Sequence, residues 1–168
     1  MKPPFDIAAD LDTPVSAYLK LRPFKPRFLL ESVEGGERLA RYSFIGFGDC
    51  AEVRLDERGL TVNGSTRPAP ESQQELLRAL RDALAATPQP SPRIPGVPLS
   101  GGLVGVAGYD LVRHFERLPA RARVVEPTPL AHYLTPQSVL VFDHLTRGVA
   151  LLHAGSESER SSLRNQVV

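Results

Sequence analysis

The sequence predicts an α+β fold of mainly antiparallel sheet with a few packing helices. Two observations lead there. Strand-like segments outnumber helical ones, and neighbouring strand segments are joined by tight turns, which implies antiparallel pairing rather than a doubly wound parallel sheet. The 168 residues, 42% of them hydrophobic, are enough for one domain with its own core and short for two, so residues 1–168 are read as one domain.

Thr13-Pro14 opens a short helix, because threonine caps a first turn and proline fits the first helical position. Val15, Tyr18, Leu19 and Leu21 are its expected buried side, and Pro23 and Pro26 stop it. Residues 27–33 read as a strand before a Gly35-Gly36 turn, and residues 41–47 as a second strand. Residues 51–56 alternate with period two, the mark of a half-buried strand. Glu57-Arg58-Gly59 turns the chain, residues 60–62 return, and Asn63-Gly64 turns it again into residues 65–67.

Ser72-Gln73-Gln74-Glu75 is a capping box. Leu76, Leu77, Leu80, Ala83 and Leu84 then follow at helical spacing, predicting a helix over residues 72–86. Residues 87–98 carry five prolines and predict a long surface loop. Residues 101–108 read as a buried, glycine-spaced strand. Residues 109–118 read as a helix, with Tyr109, Val112, Phe115 and Leu118 aligned. Residues 137–142 and 149–153 form a hairpin, and Ser156 starts a last helix. A helix beginning so near Val168 predicts an interrupted chain.

The bulk numbers exclude several classes. With 20 basic and 19 acidic residues the formal net charge is +1, so there is no footprint for nucleic acid or an anionic membrane. Cys50 is the single cysteine, which excludes an intrachain disulfide and a cysteine metal cluster; a small buried apolar role is expected. The first six residues lack the apolar stretch of a signal peptide, and no run of about 18 apolar residues exists. A cytoplasmic location without membrane contact is the expectation.

No catalytic constellation emerges. Residues 46–51, Gly-Phe-Gly-Asp-Cys-Ala, match the alanine-ended dinucleotide fingerprint, but that chemistry needs a helix start after the glycines and a strand follows instead. The glycines at 101, 102, 105 and 108 lack P-loop spacing and read as close backbone packing. His114, His132, His144 and His153 form no short ligand pair, so no metal site is predicted. No G-x-S-x-G elbow and no paired carboxylates are present.

Several segments together resemble the amino-terminal region of anthranilate synthase component I, within the chorismate-utilising family. They are Thr13 to Leu21, Phe28-Leu29-Leu30-Glu31-Ser32 through Arg38, Arg41-Tyr42-Ser43-Phe44-Ile45-Gly46, Gly101 to Gly105 with Gly108 to Arg113, and Val139 to His144. The blocks keep the family's order across nearly the whole chain. The departures are Leu39-Ala40, where the family often has Trp-Gly, and Val106-Ala107, where it has a Tyr-Phe pair.

The resemblance implies a two-part protein. The family converts chorismate to anthranilate with a magnesium ion, using ammonia from a glutamine amidotransferase subunit (component II). Its chorismate and magnesium residues belong to a carboxy-terminal half, so the resemblance implies no catalytic residue, no cofactor and no anthranilate synthesis in these residues alone. It also implies a feedback site for L-tryptophan, an inhibitor, along Leu30, Glu31 and Ser32, with Arg41, Tyr42 and Ser43 on the next strand. Glu31 suits the ligand's ammonium, Ser32 one of its polar ends and Leu30 the indole. Read without the family, Glu31 is an ordinary strand-end carboxylate and Ser32 a turn residue. Two other functions fit the same residues: the amino-terminal part of the sister enzyme, aminodeoxychorismate synthase component I, and a stand-alone amino-acid-binding module.

Overall fold

The computed structural model describes residues 4–8, 11–31, 40–119 and 128–167. The fold is α+β with antiparallel strand pairing, as the turn pattern predicts. The chain divides into two compact units: residues 1–50, 88–102 and 136–168, and residues 51–87 and 103–135.

In the first unit, helix α1 (Pro14–Lys20) carries a reciprocal capping box. The Ser16 amide donates to Thr13 Oγ1 at 3.1 Å, and the Thr13 amide donates to Ser16 Oγ at 2.9 Å. Its buried side is Pro14, Ala17 and then Leu21, while Val15 and Leu19 are exposed. The expectation of Val15 and Leu19 is thereby corrected: the helix has only seven residues, and its i, i+3, i+7 stripe begins at the proline.

Strands β1 (Ile7–Ala8), β2 (Pro26–Leu30), β3 (Tyr42–Asp56), β7 (Ala131–Asp143) and β8 (Gly148–His153) follow the order β1-β8-β7-β3, with β2 on β3. In this unit both faces of the strands are covered. One face packs Ile45, Phe47, Leu140, Phe142 and Leu151 against α1 and against Leu163 and Val167 of helix α3 (Glu157–Val167). The other packs Phe44, Val139, Val141 and Leu152 against Ile94, Val97 and Leu99. The proline-rich segment is therefore irregular, as expected, but it is also a cover for the sheet. Ser91 ties it down by exchanging backbone hydrogen bonds with His153, both 2.9 Å.

In the second unit, residues 51–56 of β3 pair with β4 (Gly59–Val62), and β4 with β5 (Ser65–Arg67). Asn63 and Gly64 have φ of 49° and 82°, the left-handed pair that a two-residue hairpin turn requires. Helix α2 (Gln73–Ala85) buries Leu76, Ala79 and Ala83 against Val53, Leu55 and Leu60. Leu84, expected on that face, is exposed. Ser72 Oγ accepts from the Glu75 amide at 3.2 Å, while the Glu75 carboxylate accepts from the Glu71 amide, so only half of the predicted box forms. Ser72→Ala should cost about 1 kcal/mol, read as a lower urea midpoint with an unchanged slope.

Three further expectations are revised. The strands at 41–47 and 51–56 are one strand, β3, which passes through Gly48 at φ 87° without breaking. The glycine-spaced strand is short, β6 (Val104–Ala107), and largely exposed, with Val106 69% exposed. Residues 109–118 hold a 3-10 helix (Tyr109–His114), with Leu111 buried and Tyr109 86% exposed. The aligned residues were three apart, which is the period of a 3-10 helix rather than of an α-helix.

Candidate functional site

The β2–β3 register sets the direction of the predicted ligand residues. Leu29 lies opposite Ile45 and Leu30 opposite Phe44. Successive strand residues face opposite sides, so Leu30 shares a side with Phe44 and with Tyr42, whose ring lies 6.2 Å from that of Phe44. Ser43 faces the other way. Glu31, just past the end of β2, is exposed and lines a recess of about 510 Å³ with Thr13, Pro14, Phe142, His144 and Arg147. Asp12, Asp143 and Gly148 complete its wall. The structure thus brings Glu31 to this recess and places Leu30 and Tyr42 on the opposite side of the strands. Ser32 lies outside the described residues.

Arg41 and Ser43 reach the recess indirectly, through the turn that joins β7 to β8. Arg41 Nε and Nη2 donate to Asp143 Oδ1 and Oδ2 at 3.0 and 2.7 Å, a forked pair. Asp143 Oδ1 also accepts from the Leu145 amide at 3.1 Å. The His144 amide donates to the Arg41 carbonyl at 2.9 Å, and Ser43 Oγ lies 2.8 Å from His144 Nε2. Burial alone would push the Asp143 carboxyl up. Hydrogen bonds from Arg41, Thr146 and the Leu145 amide outweigh burial and hold it below the usual carboxylate range. Ser43 is fully buried, and the guanidinium of Arg41 also lies over the Tyr42 ring at 4.8 Å. Both side chains are committed to holding residues 143–147, which form one wall of the recess.

Sequence reasoning did not find Thr13, Pro14, His144 or Arg147 as neighbours of Glu31. No local signal marks them, since strand pairing alone assembles them. It also missed a second polar cluster. Ser138 Oγ lies 2.8 Å from His153 Nδ1, both buried, beside a recess of about 420 Å³ that includes Phe24, Phe47 and Glu159. The Glu159 carboxylate accepts from the amide and hydroxyl of Ser156 at 2.6 and 2.7 Å, so it caps α3. This arrangement is a buried, hydrogen-bonded histidine.

The apparent dinucleotide fingerprint sits inside β3, where no helix offers its amides, and the Phe28 ring occupies the space beside Gly46. Cys50 is half-buried rather than buried, and burial raises its thiol above the usual range. Magnesium, implied for the longer protein, does not fit here. Among the described residues no three His, Cys, Asp or Glu side chains converge, and the buried Asp143 is already neutralised by Arg41. No described helix is long and apolar enough to cross a membrane.

Comparison with known proteins agrees with the resemblance. The family model for chorismate binding enzymes matches residues 25–167. Anthranilate synthase component 1 of Thermus thermophilus is 41% identical over 157 residues, covering 93% of this chain and 32% of that protein. The protein of the same name from Acetivibrio thermocellus is 33% identical over 163 residues, covering 93% of this chain and 32% of its own length. A solved structure of anthranilate synthase component I from Streptococcus pneumoniae superposes with a TM-score of 0.60 at 23% identity, over 96% of this chain and 35% of that one. That likeness shows the fold. The chain spans about a third of the length of the relatives it matches. By the span and identity of these matches, the chain belongs to the chorismate binding enzyme family.

Proposed function

We propose that this chain is the amino-terminal, tryptophan-responsive part of an anthranilate synthase component I, and that chorismate chemistry requires the further sequence its relatives carry. One observation carries the reading: Glu31 stands on a recess of about 510 Å³ that is also lined by a turn braced by Arg41 and Ser43. A volume of this order suits a small ligand. An exposed carboxylate at its rim suits an ammonium group, and Pro14 and Phe142 supply apolar surface. Ser32 follows Glu31 directly and is assigned to the same ligand.

Tryptophan bound here controls turnover only if it binds two states of the longer enzyme with different affinity. The whole enzyme then works with magnesium and with a glutamine amidotransferase component that supplies ammonia. The test is a chimera in which this chain replaces the matching segment of the Thermus thermophilus protein. L-tryptophan should inhibit its anthranilate formation, and Glu31→Gln should weaken that inhibition about tenfold, the loss of one charge-assisted contact. Tryptophan sensitivity unchanged by Glu31→Gln and by Ser32→Arg contradicts the site.

A further inference from the structure

Five charged or titratable side chains line the recess, and three are already committed. Asp12 accepts from Lys20 Nζ at 2.9 Å and from Ser16 Oγ at 2.7 Å. Asp143 is held by Arg41, and His144 by Ser43. The remaining two, Glu31 and Arg147, make no ion pair with any described residue, and they carry opposite charges into one recess. A cavity that presents one uncommitted carboxylate and one uncommitted guanidinium beside apolar surface matches a zwitterion.

We propose that Arg147 anchors the α-carboxylate of the ligand, making the recess selective for amino acids over the corresponding amines. This rests on the amino-acid reading above. Arg147 sits at φ 53°, in the left-handed region, at the end of the 143–147 turn and just before β8. The turn is pinned by the Arg41–Asp143 fork, the Leu145 amide and the His144–Ser43 contact. Its backbone is therefore fixed before ligand arrives, which reduces the ordering cost of binding. A guanidinium presents paired N–H groups that match a carboxylate bidentately, whereas a lysine would act as a point charge. Arg41 braces the turn from behind, and Arg147 faces the ligand.

The test titrates the 168-residue chain with L-tryptophan, tryptamine and indole-3-propionate, using saturation-transfer NMR, which reads weak binding. Arg147→Gln should lower tryptophan affinity about tenfold or more and leave tryptamine, which lacks the carboxylate, unchanged. Glu31→Gln should lower tryptophan affinity and spare indole-3-propionate, which lacks the ammonium. If Arg147→Gln weakens tryptamine as much as tryptophan, the residue is structural and the anchor is overturned. Undiminished tryptophan binding by that variant overturns the anchor alone. Absence of tryptophan binding by the unsubstituted chain overturns the amino-acid reading and the anchor with it.

Discussion

Asp143→Ala should destabilise the first unit by about 2 kcal/mol and abolish the ligand binding proposed for the recess, the largest effect expected from one side chain there. The carboxylate is 1% exposed and takes hydrogen bonds from Arg41, the Leu145 amide and Thr146. Its loss leaves the half-exposed Arg41 able to find water, which keeps the cost below that of a fully buried orphan charge. The turn itself has no other acceptor for the Leu145 amide among the described contacts, so residues 143–147 lose their register with β3. Asp143→Asn separates shape from charge: it can keep the amide contact and loses the ion pair, so it should fall between the two.

The same group predicts a pH dependence. Although burial raises it, the folded-state pKa of Asp143 is depressed below the ordinary carboxylate range by its hydrogen-bond donors, chiefly Arg41. A depressed carboxyl contributes stability that is present above its unfolded value and is lost as pH falls through the folded one. Urea midpoints measured from pH 6 downward should therefore fall below about pH 4, and part of that fall should vanish in Asp143→Ala. Asp12, Glu157 and Glu159 are also depressed, each by hydrogen-bonded neighbours, which is why the difference between variants is the informative quantity.

Gly105→Ala should be the most damaging single methyl in the second unit. Val104–Ala107 pairs with Leu134–Ala131 of β7, and a Cβ at Gly105 would overlap the His132 carbonyl oxygen and lie 2.7 Å from Tyr133 Cα. Those are backbone atoms of the partner strand, so no side chain can swing aside. β6 would have to leave β7, at a cost of about 3 kcal/mol by analogy with overpacked cores. Hydrogen exchange should show the amides of residues 104–107 losing protection first. Gly64→Ala is the control: nothing lies within 4 Å of its Cβ position, so only the strain of φ 82° remains.

What could be read from the sequence was what depends on neighbours along the chain. Thr13 and Ser72 cap their helices, and Asn63-Gly64 turns its hairpin, because a cap or a two-residue turn is decided within four residues. The division of Leu30 from Glu31 was half legible. Period-two alternation alone separates them, and only the family likeness had grouped them. The bracing role of Arg41 was not legible, since its partner Asp143 is 102 residues away and nothing near either residue announces the other. Residues 109–118 mislead because their threefold spacing resembles an α-helical stripe, whereas the segment buries Leu111 in a 3-10 helix.

The ligand proposed for the recess comes from the family likeness, and its construction from the structure. Glu31 was expected from the first. Thr13, Pro14, His144 and Arg147 join it only when β2, β3, β7 and β8 pair.

The most direct measurement is a ¹⁵N NMR titration of the chain with L-tryptophan. Saturable shifts at the amides of Glu31 and of residues 144–148, spreading to Arg41 and Ser43, are the predicted result. Saturable shifts centred instead on Gln137, Ser138 and Glu159, or none that saturate, would contradict an amino-acid site at this recess.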